Sequence, residues 1–389
     1  MGLMRPMRLI GLIGLMSLVA CSSDNASGED TPTPLTPTEA AISFNSGLND
    51  GAEISRSEGF ETTGATSFKV WAYKNMSYEN GSYGGLQTVI PGYTVNYVAN
   101  SANSSTSNTH NWEYVGQGSD QTIKYWDWSA KAYRFFGVAE TPTGANKDKA
   151  NTANGANEPN GAYAVTLTVD ASDDSGIAAT PYYSHLWFST GNTTEYPDKQ
   201  FGKPVQLEFL KPFAQVRFMF TFVPELQELG TDRTKLSNIS FKPTDNSKIA
   251  NQGTVTIRYP LTGTIIKESW TSAATENTGL AEFRIDYYDE NTSYTPADNE
   301  PTTYPNSPKH FYNVLPVKSQ GSYTLSAVVV GGDPKTCVVP AEYMSWEPGY
   351  QYTYIFKITE SGGIKLDEIQ VGMNNWVIKE RIEYEVYNW

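Results

Sequence analysis

The sequence predicts an all-β protein built as two tandem antiparallel β-sandwich domains, and three observations carry that reading. Aromatic residues make up 13% of the chain, with 25 Tyr, 16 Phe and 9 Trp, residue types that suit the half-buried, pleated surface of a sheet. Gly (32) and Pro (22) punctuate the chain as often as turns between short strands require. Helical periodicity is nearly absent, whereas short runs that alternate apolar and polar residues with period two recur along the whole length.

The first forty residues stand apart from that pattern. Within residues 1–20, Arg5 and Arg8 precede or open an apolar run, Leu9 to Val19, that is too short to span a bilayer, which marks a secretory signal rather than an anchor. The run ends in Leu18-Val19-Ala20-Cys21, which resembles the lipobox of bacterial lipoproteins. That resemblance implies that Cys21 receives lipid, becomes the first residue after cleavage and tethers the chain to a membrane. Residues 21–40 include Thr31-Pro32-Thr33-Pro34-Leu35-Thr36-Pro37, a Pro/Thr tether with too little apolar surface to bury.

Strands are expected next at 41–44, 68–73, 93–98, 112–115, 133–139, 162–169 and 205–223, the last long enough for two strands or one bent strand. Two stretches rich in Asn, Ser, Gly and Ala, 100–110 and 144–160, read as loop insertions. The pattern breaks at 224–230, where 225–229 suits one helical turn, so the domains are expected to span 41–225 and 226–389. The second domain is expected to place strands at 238–241, 253–259, 280–286, 310–315, 323–330, 336–339, 350–358 and 364–371.

Chemistry is hard to find. Loss of residues 1–20 leaves 369 residues with 26 Lys and Arg against 42 Asp and Glu, a net charge of −16 that argues against nucleic acid as a partner. With Cys21 committed to lipid, Cys337 is the one remaining thiol, so no intramolecular disulfide is available; its apolar surroundings read as core. His110, His185 and His310 lie far apart without ligand spacing, and nucleophile-elbow, Walker and dinucleotide motifs are absent. Residues 170–176 resemble a calcium loop, but the glycine comes one place late and Pro181 stands where a bidentate Glu belongs. The reading is therefore a non-enzyme with no catalytic residue, no metal and no cofactor. Trp112, Trp126, Trp128 and Trp187 suit either sugar stacking or core packing.

Several segments taken in order carry a wider likeness: Ile54-Ser55-Arg56, Phe68-Lys69-Val70-Trp71-Ala72-Tyr73, Tyr133-Arg134-Phe135-Phe136-Gly137-Val138-Ala139, Lys211-Pro212-Phe213-Ala214-Gln215-Val216, and Trp346-Glu347-Pro348-Gly349-Tyr350. Together with the lipobox they resemble the fimbrillin-family (Mfa-like) fimbrial subunit lipoproteins of Bacteroidetes. The resemblance implies two transthyretin-like sandwiches, outer-membrane delivery as a lipid-anchored precursor and display at the cell surface. It also implies cleavage by an arginine-specific surface protease, release of the first strand, and polymerisation with other fimbrial subunits by strand exchange. Carried onto this chain, the leaving strand holds Ala41-Ile42-Ser43-Phe44 and the matching cleavage position is Arg56, which lies in a polar stretch open to proteases.

At the other end, Ile378, Ile382, Tyr384 and Val386 fall on one alternation while Lys379, Arg381, Glu383 and Glu385 occupy the other, the pattern of a strand with one apolar face. Residues 378–389 are thus either a donor strand that completes another subunit's sheet or the last strand of their own domain. The functions weighed are a fimbrial stalk subunit supporting adhesion, a tip or anchor subunit, and a surface glycan-binding lipoprotein.

Overall fold

In Asn80-Gly81 both residues are left-handed (φ 52° and 78°), which makes the tight turn of a long hairpin and sets the register of the first sheet. The computed structural model describes residues 41–48, 66–100, 104–139, 154–158, 161–190, 201–223, 236–285, 311–318, 320–329, 332–373 and 377–383. Its elements in the first part are β1 (Phe44–Leu48), β2 (Ser67–Glu79), β3 (Ser82–Tyr97), β4 (Trp112–Glu113), β5 (Ala132–Ala139), β6 (Asn154–Glu158), β7 (Ala162–Asp170), α1 (Asp174–Ala179), β8 (Tyr182–Ser184), β9 (Trp187–Thr190), β10 (Val205–Leu210) and β11 (Ala214–Phe222). They continue with β12 (Leu236–Pro243), β13 (Gln252–Pro260), β14 (Ser269–Ala274), β15 (Phe283–Ile285), β16 (Tyr312–Val314), β17 (Tyr323–Val329), β18 (Pro334–Val339), β19 (Tyr350–Ile358), β20 (Ile364–Met373) and β21 (Val377–Glu383).

The protein is all-β, as expected, and its described strands form four sheets. An eight-stranded sheet runs β1-β10-β8-β5-β2-β3-β4, with β9 also paired to β5. A four-stranded sheet, β14-β13-β7-β6, packs on one of its faces. The other two sheets, β16-β11-β19-β20-β21 and β15-β12-β17-β18, enclose a second core. The alternation predicts which residues point inward: along β7, Tyr163, Val165, Leu167 and Val169 are buried, and opposite them on β13 so are Val255, Ile257 and Tyr259. The ladder between β7 and β13 runs from Asp170↔Gln252 to Ala162↔Pro260, joining segments on either side of residue 225. On the opposite face of the large sheet, a third core gathers Ile42, Phe44, Phe68, Tyr114, Trp126, Phe135 and Phe209.

Some elements differ from the sequence expectation. The stretch 205–223 divides at Lys211-Pro212-Phe213, where β10 ends in one sandwich and β11 begins in the other. Part of the expected loop 144–160 is a strand, β6, paired with β7 from Asn154↔Thr166 to Glu158↔Ala162; it carries no alternating apolar residues, and besides the main-chain ladder Arg258 Nε donates to its Glu158 at 3.1 Å. The short or polar strands β8, β9 and β14 lacked a pattern to announce them. In place of a calcium loop, the Asp173 carboxylate caps α1 by accepting from the Gly176 N–H at 2.7 Å, and Asp170 accepts from the Gln252 amide at 3.0 Å. Lys211 Nζ donates to the Ile177 carbonyl at 3.0 Å and also to that of Thr180, tying the end of α1 to the crossing point between sandwiches. Burial lowers its pKa to about 7. Cys337 lies in the second core, where burial pushes its thiol pKa up. No helix among the described residues is long and apolar enough to cross a membrane.

Candidate functional site at the first strand

The chain's first described segment is short, apolar at alternate positions, and deeply seated. Ala41, Ile42, Ser43, Phe44 and Ser46 are all buried. Phe44 has an apolar ring and a position facing the sheet, so it fills a pocket of other rings. Its edge meets Tyr114 at 5.6 Å, Phe135 at 6.1 Å and Phe68 at 6.2 Å between centroids.

Among the described strands β1 lies at the edge of its sheet and pairs with β10 alone, in parallel, from Phe44↔Val205 to Leu48↔Phe209. Just before it, the Ile42 N–H donates to the Lys124 carbonyl at 2.8 Å, and the Val205 N–H donates to the Ser43 carbonyl at 2.8 Å. The Tyr114 hydroxyl donates to the Ile42 carbonyl at 3.0 Å. Desolvation is the chief reason that the Tyr114 phenol is pushed up to about 12, so it stays a donor across the physiological range.

The jaw that carries Tyr114 is itself pinned. Glu113, buried against expectation for a strand carboxylate, accepts from the Ser105 N–H at 2.9 Å, the Ser105 hydroxyl at 2.8 Å and the Val115 N–H at 2.8 Å. The Gln121 amide donates to the carbonyls of Tyr114 and Thr94 at 2.6 and 2.7 Å. β1 thus lies in a groove between β10 and a jaw that has side-chain hydrogen bonds of its own. Sequence reasoning missed Glu113, Tyr114 and Gln121. Their roles depend on partners such as Ile42, 72 residues away from Tyr114.

One atom fits the groove badly. Ser46 is 4% exposed, and its hydroxyl has no hydrogen-bond partner among the described residues. An unpaired buried hydroxyl costs roughly 1–3 kcal/mol.

Topology decides what loss of β1 would entail. In the sheet, β10, β8 and β5 separate β1 from β2, the next strand in the chain, and the connection between them is residues 49–66. A cut there leaves the strand held by one ladder, one ring pocket and the jaw. Departure exposes the β10 edge and the rings around Phe44 without breaking any interior pairing. Arg56 falls within that connection; it and Cys21 lie outside the described residues.

The other end of the chain is also an edge. Among the described strands β21 pairs with β20 alone, placing Ile382 opposite Ile369 and Ile378 opposite Gly372, with a register shift between Val371 and Gly372. Tyr384 and Val386 lie outside the described residues.

No protein-family model and no curated protein matches the chain. Solved structures do. A proposed cell adhesion protein from Bacteroides ovatus is 11% identical with a TM-score of 0.40, over 87% of this chain and 99% of that one. A fimbrial assembly protein from Parabacteroides distasonis is 12% identical with a TM-score of 0.31, over 83% and 92% of the two chains. The tip fimbrial protein Mfa3 from Porphyromonas gingivalis, with C-terminal truncation, is 10% identical with a TM-score of 0.33, over 86% and 99%. The chain is therefore similar to adhesion and fimbrial proteins at identities and scores too low to assign it a family.

Proposed function

We propose that this chain is a non-enzymatic structural subunit of a cell-surface fimbria that supports adhesion. Its lipid on Cys21 delivers the precursor to the outer membrane. An arginine-specific protease then cuts after Arg56 and frees the segment that carries β1. A neighbouring subunit's terminal strand, 378–389, refills the groove by β-augmentation.

The observation that carries this reading is the seat of β1: an edge strand, paired to one neighbour, in a groove whose jaw has side-chain hydrogen bonds of its own. Main-chain hydrogen bonds to β10 would supply affinity to an incoming strand, and its alternate side chains would set register. The exchange is favourable if the newcomer fits better. Ile382, Tyr384 and Val386 put apolar groups at successive alternate positions, whereas β1 places the unpartnered Ser46 hydroxyl two residues after Phe44.

The test is limited proteolysis of residues 22–389 with an arginine-specific protease, followed by intact mass and size-exclusion chromatography. A single cut after Arg56 followed by oligomers, lost when residues 380–389 are deleted, supports a polymerising subunit. A folded protein that resists at Arg56, or a cut product that stays monomeric, removes strand exchange and leaves an anchor, a tip subunit or a surface glycan-binding lipoprotein.

A further inference from the structure

We infer that the Pro/Thr tether upstream of the first strand docks on the exposed rings of Tyr125 and Trp128, with Pro37 against the Trp128 indole. These are the two most exposed aromatic side chains among the described residues, at 50% and 53%. Trp126 between them points the other way, into the core, where it stacks on Phe201 at 5.2 Å.

The pairing at the start of the described chain aims the tether at these rings. Ala41 forms an antiparallel bridge with Tyr125, and the Ile42 N–H donates to the Lys124 carbonyl at 2.8 Å. In an antiparallel pair, the chain running back from Ala41 advances alongside the residues that follow Tyr125. Continued at the same offset, Thr38 comes level with Trp128 and Pro37 falls just past it. The tether also has the right chemistry. Pro34-Leu35-Thr36-Pro37 is a P-x-x-P run, and at three residues per turn of polyproline II its two prolines share a face about 9 Å apart. That conformation leaves its backbone to water and is the one that aromatic-lined surfaces recognise.

The platform is fixed beneath its exposed face. The Asp127 N–H donates to the Tyr133 hydroxyl at 2.7 Å, Lys74 Nζ donates to the Asp127 carboxylate at 2.5 Å, and the Ala130 N–H donates to the Asp127 carbonyl at 3.1 Å. The Trp128 ring leans on Phe201, 6.1 Å between centroids. A ring held in place loses little freedom when something covers it. Because the tether is joined to the fold at Ala41, its local concentration at the rings is on the order of millimolar, so even a weak contact is populated. The contact lies outside the groove filled by β1 and is independent of strand exchange. It bears a pull on the amino end before that pull reaches Ile42.

Fluorine NMR of residues 22–389 labelled with 5-fluorotryptophan tests it. Trp128→Phe assigns the resonance, and relaxation caused by a neutral gadolinium chelate reads the exposure of the ring. Pro34→Ser combined with Pro37→Ser removes the docking face and leaves every described residue unchanged. The double variant is expected to shift the Trp128 resonance and to raise its relaxation enhancement roughly two-fold, with the other indoles unaffected. Three outcomes overturn the proposal. An identical Trp128 signal in both proteins means that the ring is bare. Protection lost on dilution means that a second copy supplies the tether. A Trp128 shift on adding methyl glycosides, equal in both proteins, means that the ring is a sugar platform instead.

Discussion

The Tyr114 hydroxyl and the Ile42 carbonyl, 3.0 Å apart, join the jaw of the groove to the segment leading into the first strand, and the Lys124 N–H donates back to the same hydroxyl at 2.9 Å. Tyr114→Phe keeps the ring against Phe44 and removes only this clasp. The expected loss is about 1–3 kcal/mol, because the Ile42 carbonyl is left buried and unpaired. Urea unfolding measures it, and faster hydrogen exchange at the Ile42 amide localises it. An unchanged exchange rate there would mean that the strand is held by Phe44 and the β10 ladder alone.

Phe44 is fully buried among three rings. Phe44→Ala should cost about 3–5 kcal/mol, the usual range for emptying a core aromatic site. Equilibrium denaturation would show it, and a loss below about 1 kcal/mol would mean that the strand is already loose in the intact protein.

Ser46→Ala should act in the opposite direction. Removing a buried hydroxyl without a partner is expected to raise stability by about 1 kcal/mol and to slow oligomer formation after cleavage. Thermal melts and the time course of assembly read the two effects separately. A destabilised variant would show that the hydroxyl finds a partner in solution.

Arg134 is a cross-link between the large sheet and the chain around β13 and β14. Its Nε donates to Asn75 Oδ1 at 3.1 Å, and its Nη1 donates to the carbonyls of Pro260 and Ile265 at 3.0 and 3.2 Å. The guanidinium also lies over the rings of Phe188 and Tyr83, 4.8 and 5.6 Å from their centroids. Lysine keeps the charge but cannot reproduce the fork. Arg134→Lys should therefore lose roughly 3 kcal/mol by chemical denaturation, and a near-neutral result would show that charge alone suffices.

Alkaline pH should unfold the protein through its phenols. Burial pushes Tyr73, Tyr114 and Tyr133 up to about 12 from 10, and it raises Tyr183 and Tyr259 well above 10. Between those values the unfolded chain binds fewer protons than the folded one, so stability falls as pH rises. The contribution is complete below about pH 10 and is lost through about pH 12. Tyrosinate absorbance and near-ultraviolet circular dichroism should move together; phenol ionisation that precedes loss of structure would contradict the burial.

Strands that alternate strictly were legible. Residues 162–169, 253–259 and 323–330 match β7, β13 and β17 almost end for end, because burial of one face selects the pattern itself. The first half of β3 lies outside the expected strands although Asn80-Gly81, one of three Asn-Gly pairs in the chain, marks the turn before it. Two edge strands were not legible: β14 buries little, and β6 reads Asn-Gly-Ala-Asn-Glu, so neither carries an apolar alternation. At the first strand, Ile42 and Phe44 could be read as inward-facing. Their clasp, Glu113, Tyr114 and Gln121, could not, since those side chains acquire their roles only when distant segments meet.

The ladder between β7 and β13 has a consequence for how this chain is made. Asp170 must wait for Gln252, 82 residues later, before the sheet behind it can close. A polypeptide that emerges amino end first carries Tyr163, Val165 and Leu167 uncovered until that later segment follows. Non-local pairing of this kind is slow and exposes sticky intermediates. The first sandwich is accordingly complete only after the second has begun to arrive, so the two cannot fold strictly one after the other.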